Sequence, residues 1–368
     1  DLVDVGNNNS VLDIPGNQIT LEAWVQHNVD PLNLNPAGHL DYGILNHKGW
    51  QYGYRLLMRA DTYGCDEPLC IHFNLGETGT FLGTATVLTA GTWHHVVGTY
   101  DGSVVKVFIA GVEDSNTWSK TADITAPPPP EDHVWIGHGD QPTDVGWSAE
   151  WQGEIDEVRI SNVARSTCWI QTQYNNQSTA TSITLGPEEA INFEHRRQLT
   201  LNYSQRGAAC GESYDLSSFP ALISLSGDWL RTTANGGNIY SADGYDIVFR
   251  ASDRMTTLNH EIEKYDGSAG GGSLIAWVKI PDLFAGNDDT TIYIYYGNSK
   301  VTTATENPTG VWNDNYVAVY HLKETSGIHY DSTGNNNDST SVNVATQGSA
   351  TGKIDGADDF NGTSSQIN

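Results

Sequence analysis

The sequence predicts an all-β chain of two β-sandwich (jelly-roll) domains followed by a C-terminal tail that completes a neighbouring sandwich. Two observations carry the fold class. Gly (38 residues), 11 Trp and 17 Tyr are abundant in a chain of 368 residues with only 17% charged residues, which favours short strands and many turns over long helices. Short runs of β-branched and aromatic residues also recur between Gly, Asn, Asp and Pro punctuation, as in sandwiches.

In chain order, Ile19 to Val25 reads as a strand. Trp93 to Tyr100 is a second, and Asp101-Gly102-Ser103 turns it into Val104 to Ile109 as a hairpin. Val134 to Gly137 and Ile155 to Ile160 follow, after a polyproline spacer at Pro127 to Pro130. A short helix is expected at about Arg165 to Gln173, as a plug at the end of the sandwich. A second region carries strands at Phe219 to Leu225, Tyr245 to Phe249, Glu261 to Tyr265, Ala276 to Pro281 and Ile292 to Asn298.

Trp93-His94-His95-Val96-Val97-Gly98-Thr99-Tyr100-Asp101-Gly102, then Val107-Phe108-Ile109-Ala110-Gly111-Val112, then Trp135-Ile136-Gly137, then Gly153 to Ile160, resemble the LamG-like, concanavalin A-like jelly roll. The resemblance implies a two-sheet sandwich with binding or structural duty more often than catalysis. The second region resembles an uncharacterised all-β domain found beside LamG-like domains in large secreted proteins. Val317 to Leu322, Tyr330 to Asn336 and Gly356 to Thr363 resemble the opening of another LamG-like domain. The expected domains are therefore 1–187, 188–314 and 315–368.

Leu2-Val3-Asp4-Val5-Gly6 resembles what normally follows that opening, so the chain reads as one period of a repeat cut inside a jelly roll, and as a mature or excised segment. The expected assembly is head-to-tail between copies of the chain, as an extracellular filament, through Leu2, Val3, Val317, Val319, Phe360 and Ile367. A carbohydrate-binding adhesin module is the alternative, with Tyr63, Trp147 and Trp151 in or near loops as stacking candidates.

The net charge of -27 opposes nucleic-acid or anionic-membrane partners, and no apolar run of about 18 residues is present to insert in a membrane. Cys65, Cys70, Cys168 and Cys210 are an even set, expected as disulfides Cys65–Cys70 and Cys168–Cys210 in an extracellular setting. The second would staple one domain to the next. A zinc site is the alternative reading, but Cys65-x4-Cys70 lacks the usual zinc spacing.

No enzyme is expected. Concanavalin A-like glycosidases align carboxylates on alternate residues of one strand, about 5–5.5 Å apart for retention. Here Glu154 and Asp156 share a face, Val158 takes the third place, and Glu157 points away by strand alternation. Adjacent His94 and His95 point to opposite faces, which does not suit one metal ion. A structural Ca²⁺ is expected across the junction between copies, held by Asp331, Asn336 and Asp156, because hard cations take clustered carboxylate and amide oxygens. Sequons at Asn8, Asn176, Asn202, Asn337 and Asn361 permit glycosylation without arguing for it.

Overall fold

This computed structural model describes residues 2–4, 12–14, 16–29, 41–47, 52–60, 64–65, 67–76, 81–125, 133–138, 148–179, 183–191, 193–210, 216–284, 288–313 and 315–362. Strands alternate along the chain as β1 (Leu2–Asp4), β2 (Ile19–His27), β3 (Asp41–His47), β4 (Tyr54–Arg59), β5 (Cys70–Leu75) and β6 (Phe81–Val87). There follow β7 (His94–Tyr100), β8 (Val104–Ile109), β9 (Val112–Ser119), β10 (Val134–Ile136), β11 (Ser148–Ala149) and β12 (Gln152–Ser161). Helix α1 (Thr167–Ser178) precedes β13 (Ile183–Ile191), β14 (Glu194–Leu201), β15 (Ser217–Ser226), β16 (Val248–Arg250), β17 (His260–Asp266), β18 (Ser273–Asp282) and β19 (Thr290–Tyr296). The short α2 (Pro308–Val311) leads to β20 (Tyr316–Tyr320), β21 (Ser341–Asn343), β22 (Thr346–Thr351) and β23 (Gly356–Asn361).

The chain divides into two compact units. The first joins residues 1–165 to residues 314–368, and the second is 166–313. In the first, one sheet runs β21-β1-β10-β3-β4-β5-β6 with β11 parallel to β3, and the other runs β22-β23-β12-β2-β7-β8-β9 with β20 also on β12. Alternation on these strands sends Ile19, Leu21, Ala23 and Val25 of β2, Tyr54, Leu56 and Met58 of β4, and Ile71, Phe73 and Leu75 of β5 into one shared core.

The last segment pairs into the sandwich of its own chain, where the sequence pattern leads one to expect a neighbour's. β20 pairs with β12 from Val158↔Tyr320 to Ser161↔Tyr316, and β23 pairs with the other half of β12. At the far edge β21 pairs with β1 through Leu2↔Asn343 and Val3↔Val342. Val317, Tyr320, Leu322 and Phe360 join the core cluster, each burial stabilising by about 1.5–3 kcal/mol. Val319 is fully buried on the other face of β20, opposite Arg159. The residues expected to join copies thus join two ends of one unit; Ile367 lies outside the described residues. The physical reason is edge satisfaction: without these strands β12 presents unpaired N–H and C=O groups along its length.

The second unit packs a sheet β13-β14-β19-β16 against a sheet β15-β18-β17, with Leu199, Ile292, Ile294 and Phe249 facing Phe219, Ile223, Val278 and Ile280. Pro220 is tolerated because β15 is an edge strand. Helix α1 belongs to this unit rather than plugging the first, and the units divide at Arg165/Ser166 rather than at residue 187. Ser166 caps α1 by accepting from the Trp169 N–H. The Trp169 ring lies 4.9 Å from Phe219, and Asn176 exchanges hydrogen bonds with both backbone groups of Leu222. The Cys168–Cys210 disulfide ties α1 down within this unit, so it staples no boundary.

Candidate functional site

The polar face of the first unit's β1-containing sheet assembles side chains far apart in sequence. Its core-facing residues are apolar, and the alternate positions mix polar and charged side chains with Trp135, Leu57 and Phe81. Register places Trp135 opposite Asn46, Asn46 opposite Arg55, Arg55 opposite Asn74 and Asn74 opposite Phe81. One transverse row therefore crosses five strands from an indole to a phenyl ring. A second row holds Leu57 opposite His72, and a third Asp41 opposite Arg59 and Arg59 opposite Cys70.

The rows are tied to one another. Asp41 accepts from Arg59 Nη1 at 2.7 Å and pairs with Arg55 Nη1 at 3.5 Å. At one end His133 stacks on Trp135 with centroids 5.5 Å apart, and at the other His72 stacks on Phe81 at 4.6 Å. The Cys65–Cys70 disulfide arches over the second end: Cys65 Sγ is 3.2 Å from His72 Nε2, and the Gly64 carbonyl lies where a Cβ on Gly83 would sit. Oxidised to a disulfide, these cysteines offer no thiolate to zinc.

Asn46, Arg55, His72, Asn74 and Trp135 are all buried. Asn74 Oδ1 is buried with no hydrogen-bond partner among the described residues. Leaving such an acceptor unsatisfied costs about 1–3 kcal/mol. The row sets amide and guanidinium groups between two aromatic rings, with the Asp41 carboxylate in the third row beside them; donors and acceptors of this kind are suited to hydrogen-bonding a polyhydroxylated ligand.

The opposite sheet carries a second polar arrangement on its own non-core face. Glu22 of β2 meets His95 of β7 and Arg159 of β12 at 2.9 Å each, Arg159 meets Glu157 at 2.5 Å, and Glu157 meets His321 at 2.9 Å. All five are buried. Strand alternation misplaced Glu157. The register shifts between Asp156 and Arg159, and Glu157 adopts φ 53°, so this β-bulge turns it onto the face of Arg159. Burial raises the Glu22 carboxyl, but Arg159 and His95 outweigh it and hold the group below the usual range.

Of the residues expected to hold Ca²⁺, Asp331 and Asn336 lie in one loop and Asp156 stands on β12. Asp331 accepts from the Val319, Thr333 and Asn337 N–H groups and from the Thr333 hydroxyl, so both its oxygens are engaged. Asn336 is exposed and donates to Gly334 O. Asp156 Oδ2 accepts from the N–H groups of Lys353 and Ile354. The reason is local: Asp in a tight loop satisfies its own backbone first. His94 and His95 do separate, His95 to Glu22 and His94 to Thr89. Trp151 is a core residue, fully buried, and Tyr63 and Trp147 lie outside the described residues. Of the sequon asparagines, Asn176 and Asn337 are buried.

Residues 3–171 match the family model of the concanavalin A-like lectin/glucanases superfamily. This segment is a LamG-like, concanavalin A-like domain. Residues 243–341 match a domain of unknown function, DUF2341, which runs from the second unit into β20 and β21. The strands that complete the concanavalin A-like sandwich, β20 to β23, thus lie beyond its matched segment. No curated protein matches the chain.

Among solved structures, a Bacteroides ovatus protein assigned to carbohydrate binding is 17% identical, with TM-score 0.35, over 45% of this chain and 42% of that one. Domain 4 of AbnA, a GH43 extracellular arabinanase from Geobacillus stearothermophilus, solved with arabinotriose, is 18% identical with TM-score 0.30, over 42% of this chain and 65% of that one. Trypanosoma rangeli sialidase is 18% identical with TM-score 0.29, over 43% of this chain and 22% of that one. The chain spans less than two thirds of each. Among the described residues, no helix is long and apolar enough to cross a membrane.

Proposed function

We propose that this chain is a carbohydrate-binding module of a large secreted protein, with the ligand received on the polar face of the concanavalin A-like domain. The observation that carries it is the row Trp135–Asn46–Arg55–Asn74–Phe81, with a buried, unsatisfied acceptor at Asn74 Oδ1. Membership of a lectin and glucanase superfamily supports the ligand class, and two disulfides support an oxidising, extracellular setting.

Binding rather than hydrolysis is the reading this face favours. Asp41 is the carboxylate that the described rows supply, and Arg55 and Arg59 hold it. Retaining hydrolysis takes two carboxylates about 5–5.5 Å apart. A fibre-forming role draws no comparable support, since the segment that would link copies closes its own sandwich.

The test is a glycan array probed with the intact chain, followed by titration calorimetry on the strongest oligosaccharide. Arg55→Ala and Asn74→Ala are expected to abolish the signal while the near-ultraviolet spectrum is kept. An array without hits, or hits that both variants retain, contradicts the proposal.

A further inference from the structure

The outer face of the four-stranded sheet in the second unit is built differently from the rest of this acidic chain. Residues of β14, β19 and β16 that point away from the core stand in two rows. Arg196 is opposite Tyr295, which is opposite Val248; Gln198 is opposite Tyr293, which is opposite Arg250. Tyr293 and Tyr295 are each only 4% exposed because guanidinium groups lie on them. Arg250 Cζ is 4.6 Å from the Tyr295 centroid, Arg254 Cζ 4.9 Å from that of Tyr293, and Arg196 Cζ 5.3 Å from that of Tyr293.

The loop after β16 is shaped to deliver one of these groups. Arg254 has φ 65°, a left-handed conformation that a side chain of this size adopts only when held there. Asp253 holds it by accepting from the N–H groups of Met255 and Thr256 and from the Thr256 hydroxyl. Arg254 Nη2 then donates to Tyr293 Oη at 3.0 Å, and Arg250 Nη1 donates to the Arg254 carbonyl at 3.2 Å. Neither Arg250 nor Arg254 forms an ion pair with a carboxylate among the described residues, although the chain holds 45 Asp and Glu against 18 Lys and Arg. Arg254 is exposed.

We infer that this face is a binding surface for an anionic glycan, one bearing carboxylate or sulfate groups. A guanidinium over a tyrosine ring keeps its fork of N–H donors in a fixed plane, which matches two oxygens of a carboxylate or a sulfate bidentately. A second copy of the chain fits the surface less well, because it brings its whole net charge of -27 against an equal charge. A single glycan strand engages only charges within about 8 Å at physiological salt. The surface lies wholly in the second unit and stands independently of the neutral-sugar row in the first.

The test uses the full chain against immobilised polygalacturonate, dextran sulfate and neutral dextran, with duplex DNA and sedimentation velocity as controls. Retention on polygalacturonate or on dextran sulfate, weakening as salt rises, is expected, and the two matrices separate carboxylate from sulfate recognition. Arg254→Gln and Arg250→Gln/Arg254→Gln should each weaken retention at least tenfold while the chain stays folded and its binding to neutral oligosaccharides is unchanged. No retention on either polyanion overturns the inference, as does equal retention by the exposed-site variant Arg254→Gln. Preferential binding of duplex DNA, or self-association that the double variant abolishes, also overturns it.

Discussion

Val319 of β20 stands opposite Arg159 of β12, in register, in one sheet. This pair brings the C-terminal segment beside the last strand of the concanavalin A-like match and makes the sandwich a discontinuous unit, with the second unit inserted in sequence. Deleting residues 314–368 should therefore remove cooperative unfolding of the first unit, leaving the transition of the second. Adding the segment back as a separate peptide should restore it. Calorimetry checks this, and an unchanged two-transition trace for the truncated chain would contradict the closure.

Buried charge makes the same sheet sensitive to single substitutions. Arg159→Met leaves Glu22 and Glu157 without their shared partner, and breaking a buried pair from one side costs about 3–5 kcal/mol. Adding Glu22→Gln and Glu157→Gln to Arg159→Met should recover part of that loss. Urea unfolding of the single and triple variants gives the comparison.

His329 links two stretches of the closing segment. Its Nδ1 is 2.8 Å from Glu324 and its Nε2 2.7 Å from Asp358, with no part of the ring exposed. Burial lowers the imidazole, but Asp358 and Glu324 outweigh it and raise the group to about 9. The folded value lies above the unfolded one of 6.5, so the stabilisation, about 3 kcal/mol, is complete below pH 6.5 and is lost as pH rises through 9. Burial raises Glu324, yet His329 holds it below its usual value, so that carboxylate's contribution is lost on acidification below about pH 4.5. His329→Gln should flatten the alkaline arm of the melting temperature measured from pH 6 to 10; an unaltered arm would contradict the assignment.

Reducing Cys168–Cys210, whose partners lie 42 residues apart, releases a loop worth about 2–4 kcal/mol. Cys168→Ser/Cys210→Ser should lower the midpoint of the second unit alone. Calorimetry of the wild-type and double-variant chains gives the comparison.

The strand pattern made the fold class legible, because period-two alternation at Ile19 to Val25 and Ile292 to Tyr296 states which face meets the core. The disulfide pairing followed from the spacing of four cysteines. The row of Trp135, Asn46, Arg55 and Asn74 did not, since each residue is an isolated polar or aromatic position within its own strand and only cross-strand register aligns them. The one local signal was His72 and Asn74 alternating with Ile71, Phe73 and Leu75. Glu157 was misread because a β-bulge breaks alternation without any Gly at that position. The resemblance of 315–368 to a domain opening was legible; which sandwich it opens depends on strand pairing, and the pairing is with β12 of its own chain.

The central claim is that the polar row of the concanavalin A-like domain receives a sugar. Titration calorimetry of the best array ligand against the wild-type chain, Asn74→Ala and Trp135→Ala tests it most directly. Saturable binding by the wild-type chain is expected, with a loss of at least tenfold in each variant and unfolding midpoints that show both to be folded. Equal affinity for all three proteins would contradict it.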